Sequence, residues 1–278
     1  MEKGKNETYE IIFKVRRYNP EKDEKPYFQD FKLNVKPGMT VLDGLHEIKW
    51  NHDSSLAMRY SCRMGVCGSC AMLINGRPSL ACNTQILDIT KNILTVAPLP
   101  NFAIIRDLVA DIMPLLEKHQ NLLTHIMRED KNEMQNPTGE YYQSPEELVK
   151  YLQFAYCIKC GACMGACPTL ATDDQYMGPM PLAQGHRYNT DTRDGGFDTR
   201  KKILGDSHGA FRCHYAGECS NVCPKGVDPA RAIQLLKRDL VFDYLKLKKK
   251  KNPCNPMPKQ KEGKKQEGIP FAPPFTVK

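Results

Sequence analysis

The placement of its cysteines constrains this chain more than any other feature. Eleven of the twelve fall into three groups, at 62, 67, 70 and 82, at 157, 160, 163 and 167, and at 213, 219 and 223, with Cys254 alone. The opening residues, Met1 to Thr8, are polar and carry no secretory signal, so a reducing compartment is expected. Clustered thiols in that setting read as metal ligands and not as disulfide partners. Any fold available to the chain must therefore gather these groups around metal.

The run Cys157-Ile-Lys-Cys160-Gly-Ala-Cys163-Met-Gly-Ala-Cys167-Pro168 has the spacing C-x2-C-x2-C-x3-C-P. This is the bacterial-ferredoxin pattern, whose last Cys serves a second iron–sulfur cluster. A partner run follows, Cys213-His-Tyr-Ala216-Gly-Glu-Cys219-Ser-Asn-Val-Cys223-Pro224, with Ala216 where a fourth thiolate would stand. Exchange of the last Cys between the runs assigns Cys157, Cys160, Cys163 and Cys223 to a 4Fe–4S cluster. It leaves Cys167, Cys213 and Cys219, and three thiolates predict a 3Fe–4S cluster. The alternative is a fourth iron completed by solvent or another side chain, His214 being close in sequence. The first group, Cys62-x4-Cys67-x2-Cys70 with Cys82 beyond it, is the plant-type pattern for a 2Fe–2S cluster. Gly65 and Gly68 suit a loop that brings N–H groups close to sulfur. Zinc is the alternative there, but its motifs favour two separated ligand pairs.

Residues 9–17 and 27–35 alternate apolar and polar positions and predict strands, joined by a turn from Asn19-Pro20 to Pro26. Pro37-Gly38 ends the second, and Thr40 can cap a helix to about Lys49. Ala71–Ile74, Asn75-Gly76 and Pro78–Cys82 read as a hairpin. A β-grasp sheet with a helix across one face accommodates this order. Ala97-Pro98-Leu-Pro100 marks a boundary. From Phe102 to Met127 apolar residues recur at helical spacing, with Pro114 predicting a kink or two helices. Asn132 to Gln143 is polar and reads as a surface loop, and Ser144-Pro145-Glu146-Glu147 starts a helix to about Ala155. The expected class is α+β: a plant-type 2Fe–2S domain over 1–99, an all-α domain carrying the 4Fe–4S and 3Fe–4S sites over 100–247, and a tail over 248–278. Trp50 is expected in packing, and His46 and His52 at the surface or a helix end.

Ten lysines and two glutamates between Lys246 and Lys278 account for the whole formal charge of +8, so residues 1–245 are neutral. The basic character belongs to the Pro-rich tail. It suits anionic lipid or the surface of a membrane anchor, the alternative being a solvated arm. No nucleic-acid partner is expected, and Cys254, among prolines, is expected to be a plain thiol. No window approaches the roughly 20 apolar residues of a membrane span.

A plant-type domain followed by a bacterial-type domain lacking one Cys resembles the iron–sulfur subunit of succinate dehydrogenase and fumarate reductase, over roughly residues 8–245. The resemblance rests on Ser61-Cys62-Arg-Met-Gly-Val-Cys67-Gly-Ser-Cys70, Ile74-Asn-Gly-Arg-Pro-Ser-Leu-Ala-Cys82, His186-Arg-Tyr-Asn189 and Cys223-Pro-Lys-Gly-Val-Asp-Pro229. It implies a subunit of an oxidoreductase that carries no substrate chemistry itself. Electrons would pass between FAD on a flavoprotein subunit and a quinone near the last cluster. Anchor subunits would hold the complex peripherally at the cytoplasmic face of the cell membrane. The resemblance makes Pro168 and His214 candidates for the quinone pocket. One departure is that quinone-reducing members carry a Trp shortly after this Pro, and Pro168-Thr-Leu-Ala-Thr172 has none. The stretch from His186 to Arg193 is more similar to fumarate reductases than to succinate dehydrogenases. Two other functions fit the same wire: service to a soluble, thiol-linked fumarate reductase, or a free-standing ferredoxin-like carrier. Free carriers are usually short and acidic, which counts against the last.

Overall fold

The computed structural model describes residues 8–128, 135–136 and 138–247. The tail with Cys254, the first seven residues and part of the 132–143 loop lie outside the described residues.

Five strands build the N-terminal sheet: β1 (Tyr9–Arg17), β2 (Tyr27–Val35), β3 (Ala71–Ile74), β4 (Arg77–Leu80) and β5 (Ile93–Ala97). Their order is β2-β1-β5-β3-β4, with β1 and β5 parallel and the other pairs antiparallel. Alternation along β1 and β2 turns Ile11, Phe13, Val15, Phe31, Leu33 and Val35 to one face, where all are buried. Helix α1 (Val41–Glu47) covers that face with Val41, Leu42 and Leu45. Thr40 opens it with a capping box: its Oγ1 accepts the Asp43 N–H, and the Asp43 carboxylate accepts the Thr40 N–H. Gly44 sits over Phe13, and a Cβ there would come within 2.4 Å of the ring. The helix can lie this close to the sheet only without a side chain at that position.

The helix continues into a wider, π-type turn, Ile48–His52. Such a turn changes which residues face inward, and the packing role expected of Trp50 is not what the fold gives it. Trp50 is 64 % exposed and stacks on His46 at 4.6 Å between ring centroids. His46 closes the helix end as expected, yet it is buried beneath Trp50 and Tyr60, the latter edge-on at 4.3 Å. His52 is exposed.

Helix α2 (Ile86–Ile89) follows the cysteine loop. The helical spacing read from Phe102 to Met127 is corrected by a hairpin, β6 (Ile104–Arg106) and β7 (Val109–Ala110), before helix α3 (Met113–Asn121). A buried carboxylate decides this. Asp107, at φ 45°, turns the hairpin, and its side chain accepts from Arg17 Nε (3.0 Å) and from the N–H groups of Tyr18 (3.0 Å) and Ala57 (2.8 Å). Arg17 also donates to Gln29, Asp53 and Ser55. A helix through Asp107 would take this acceptor away from Arg17, Tyr18 and Ala57 together. Helix α3 starts where Pro114 falls in its first turn, where the missing N–H has no intrahelical partner to lose.

The rest of the described chain is helical: α4 (Pro145–Ala155), α5 (Ala162–Gly165), α6 (Pro168–Thr172), α7 (Pro179–Thr190), α8 (Phe197–Leu204), α9 (Glu218–Asn221) and α10 (Pro229–Tyr244). Ser144 and Glu147 form the capping box of α4. Helix α7 is buried along most of its length and packs against both α4 and α10. Arg200 on α8 is fully buried and forms a two-pronged pair with Asp194 at 2.7 and 2.8 Å, while donating to the carbonyls of Leu123 and His125. This ties the chain after α3 to the helical core. Among the described residues no helix is long and apolar enough to cross a membrane.

Candidate metal centres

The N-terminal loop is organised by backbone donors. Cys62 Sγ accepts the N–H groups of Met64 (3.5 Å), Val66 (3.3 Å) and Cys67 (3.2 Å), and Cys82 Sγ accepts that of Gly65 (3.2 Å). These donors pull the Cys62 thiol down to about 6, whereas burial pushes Cys70 up to about 12. Cys67 is exposed while Cys70 and Cys82 join the hydrophobic core. The loop thus has a wet side rich in N–H groups and a dry side closed by the sheet.

The two later runs are built alike. Each has a residue at positive φ, Lys159 (56°) or Tyr215 (60°), then a left-handed glycine, Gly161 (83°) or Gly217 (81°), then a single helical turn, α5 or α9. The residue between them is Cys160 in the first run and Ala216 in the second. Ala216 therefore occupies the geometric counterpart of a cysteine position.

The seven thiols of these runs sort into two cavities. Cys157, Cys160, Cys163 and Cys223 line one, walled by Ile158, Met180, Ala183 and Val227. Cys167, Cys213 and Cys219 line another, together with Ala216, Pro168, Thr169 and Tyr176. The last cysteine of each run faces the cavity of the other. Burial raises Cys163 far above its ordinary range, with the neighbouring thiolates adding to it, and raises Cys160 and Cys219 to about 11. Such thiols ionise only beside a cation, and a metal group supplies that charge. No three described His, Cys, Asp or Glu side chains are placed to hold a single metal ion. Soft donors around an apolar cavity suit a polynuclear iron–sulfur group.

His214 is exposed and is not among the residues lining the three-thiol cavity, which weighs against it as a fourth ligand. Pro168 lines that cavity from its exposed rim. Tyr176, which sequence reasoning missed, is fully buried at the cavity wall. Burial and the surrounding thiols of Cys213 and Cys167 raise its phenol far above the usual range. Nothing in the local sequence, Asp-Gln-Tyr176-Met-Gly, marks it.

The two halves meet at the cysteines. A Cβ on Gly68, which has φ +76°, would stand 2.8 Å from Cys160 Cβ and 2.9 Å from its Cα. The N-terminal loop therefore touches the first of these runs with no side chain between them. Behind this contact the Asn101 amide donates to the carbonyls of Met164 (2.9 Å), Gly165 (3.3 Å) and Cys167 (3.0 Å), capping α5 from the connecting segment. Arg77 on β4 donates to the Asn221 carbonyl at the end of α9 (2.6 Å).

Comparison with known proteins gives the same two-part organisation. Residues 12–117 match the family described as the 2Fe-2S iron-sulfur cluster binding domain, and residues 153–227 match the 4Fe-4S dicluster domain. The chain is 44% identical over 236 residues to a fumarate reductase iron-sulfur subunit of Mycobacterium tuberculosis, covering 85% of this chain and 95% of that one. It is 36% identical over 234 residues to a succinate dehydrogenase iron-sulfur subunit of Coxiella burnetii, covering 83% and 97%. Among solved structures, a chain of the Mycobacterium smegmatis Sdh1 complex in the apo form superposes with a TM-score of 0.74 at 28% identity, over 86% of this chain and 98% of that one. The sheet with its cysteine loop, the crossed runs and these relatives agree: the chain belongs to the iron–sulfur subunits of fumarate reductase and succinate dehydrogenase, the electron-relay subunits of oxidoreductase complexes.

Proposed function

We propose that this subunit passes electrons between a flavoprotein carrying FAD and a membrane quinone, and that its last station is a 3Fe–4S cluster. Cys62, Cys67, Cys70 and Cys82 would hold a 2Fe–2S cluster, Cys157, Cys160, Cys163 and Cys223 a 4Fe–4S cluster, and Cys167, Cys213 and Cys219 the 3Fe–4S cluster. When bound, the clusters supply one-electron redox chemistry over a wide range of potentials. The chain's own residues hold them, exclude water from two of the three sites, and keep the holders in contact at Gly68 and Cys160.

The observation that carries this reading is the crossing of the two runs. It sorts seven thiols into four and three, with Ala216 lining the smaller set. The matched family is described as a 4Fe-4S dicluster domain, and this chain departs from two full ligand sets at Ala216. We assign residues 1–99 and 100–247 to the two cluster domains. The tail, 248–278, is assigned to anionic lipid or to an anchor subunit through its lysines. Pro168 and His214, exposed beside the three-thiol cavity, would meet the quinone where an anchor covers them, on the cytoplasmic face of the membrane.

The test is to purify the subunit from detergent-solubilised membranes and record electron paramagnetic resonance of the oxidised preparation. A flavoprotein and an anchor subunit should accompany it, with a 3Fe–4S signal that Ala216→Cys converts to a 4Fe–4S one. Recovery from the cytosol alone would favour a soluble, thiol-linked fumarate reductase. A wild-type preparation without the 3Fe–4S signal would overturn the cluster assignment.

A further inference from the structure

The three-thiol cavity differs from the four-thiol cavity in more than its missing cysteine. The walls of the four-thiol cavity are aliphatic apart from the thiols and two lysines, Lys159 and Lys225. The three-thiol cavity carries a phenol. Tyr176 is 0 % exposed, and its Oη has no hydrogen-bond partner in the protein. Its backbone is held firmly: its carbonyl accepts the Lys118 ammonium at 2.7 Å, and its N–H is donated to Asp173. The ring is packed in the second hydrophobic core with Leu170, Met180 and Ile233. The hydroxyl faces the Cys213 thiol, with Cys167 and Cys219 also beside it, and has no oxygen or nitrogen acceptor in reach. A buried hydroxyl left unpaired is costly. A phenol is an O–H donor at neutral pH, and here it is aimed where a sulfur-rich group would sit. Thr169, the other buried hydroxyl of this wall, instead serves Cys167, whose thiol also receives the backbone N–H groups of Leu170 and Thr169.

We infer that Tyr176 is a positioning residue for the last relay station, donating its phenol hydrogen to a sulfur of the cluster held by Cys167, Cys213 and Cys219. The inference rests on the reading of that cavity as the 3Fe–4S site. A hydrogen bond to sulfur stabilises the more negative, reduced state, so Tyr176 raises the reduction potential of this station alone. The four-thiol site has no counterpart, which makes it an internal control. The relay is thereby biased downhill towards its quinone end by one side chain outside the ligand set.

The test is redox titration of the holo complex followed by electron paramagnetic resonance, comparing wild type with Tyr176→Phe, which removes only the hydroxyl. Reduction of the 3Fe–4S cluster should become less favourable by about tenfold, a fall in midpoint of about 59 mV for one electron, while the other two clusters keep their midpoints. A second preparation guards against a variant that fails to load iron: wild-type protein grown on 3-fluorotyrosine has a stronger phenol donor and should shift the same midpoint upward. An intact 3Fe–4S signal with an unmoved midpoint in both preparations would overturn the role of Tyr176 and leave the cluster assignment standing. Absence of the 3Fe–4S signal from the unlabelled wild type would overturn the assignment itself.

Discussion

The cysteine loop of residues 62–82 and the crossed runs of residues 157–223 solve one chemical problem in two ways. In the loop all four thiols come from one short stretch, and four backbone N–H groups already point at two of them. The loop is anchored in a sheet whose core, from Ile11 to Val96, is hydrophobic in its own right. The runs draw their thiols from segments some sixty residues apart and gather them in cavities where burial favours the neutral form of Cys160, Cys163 and Cys219. The loop is thus pre-formed by local backbone, whereas the runs are brought together by helix packing and completed by metal. Metal binding in such a site is folding free energy. The difference implies that iron should matter to the stability of one region far more than the other.

The largest expected effect is therefore on iron removal. Hydrogen exchange of a chelated, reduced preparation should show amides of α5 and α9 losing protection, together with the ends of α7 and α10 that wall the cavities. Amides of Phe13, Val15 and Leu33 should stay protected. Equal loss in both regions would mean that the sheet, too, depends on its metal, and the contrast would fail.

A smaller effect is expected where the two regions touch. Gly68→Ala places a methyl against Cys160 backbone and forces Ala into a left-handed conformation. The second effect costs about 1–2 kcal/mol and overpacking adds about 1–3 kcal/mol. The variant should be destabilised by about 2–5 kcal/mol in urea, and electrons from reduced flavoprotein should reach the quinone end more slowly. Unchanged kinetics beside a lowered stability would show that the contact is structural alone.

Much of this was legible in the sequence, for reasons that differ by residue. Cysteine spacing reports ligand sets because a cluster fixes how far apart its thiolates can be along the chain. Thr40 and Ser144 were readable because a cap is a local bargain among four residues. The hairpin at 104–110 was not, because Asp107 turns the chain for the sake of Arg17, ninety residues away. Trp50 was expected in packing and lies exposed over His46, on a π-type turn that no sequence pattern marks. Tyr176 and Asn101 act through contacts to distant segments, and no periodicity announces such residues.

The smallest expected effect separates the regions by pH. The Arg17 guanidinium, with help from Ser55, lowers Asp53 from an ordinary 3.8 to about 2. A depressed carboxylate contributes stability above its unfolded pKa and loses it as pH falls through the folded one. The Arg17–Asp53 contribution is therefore complete above about pH 4, and roughly half of it is gone by about pH 3. The Asp53 side chain is a quarter exposed, and solvent screening limits the pair to about 1 kcal/mol. Trp50, the only tryptophan in the chain, sits on the π-type turn that ends at Asp53 and reports on the N-terminal region. In urea titrations of the full chain followed by its fluorescence, Asp53→Asn should lower the midpoint at about pH 5. The gap to wild type should narrow towards about pH 3, the window set by the two pKa values. A gap that stays constant over that range would assign the stability of this corner to Asp107 and the hairpin rather than to the Asp53 charge.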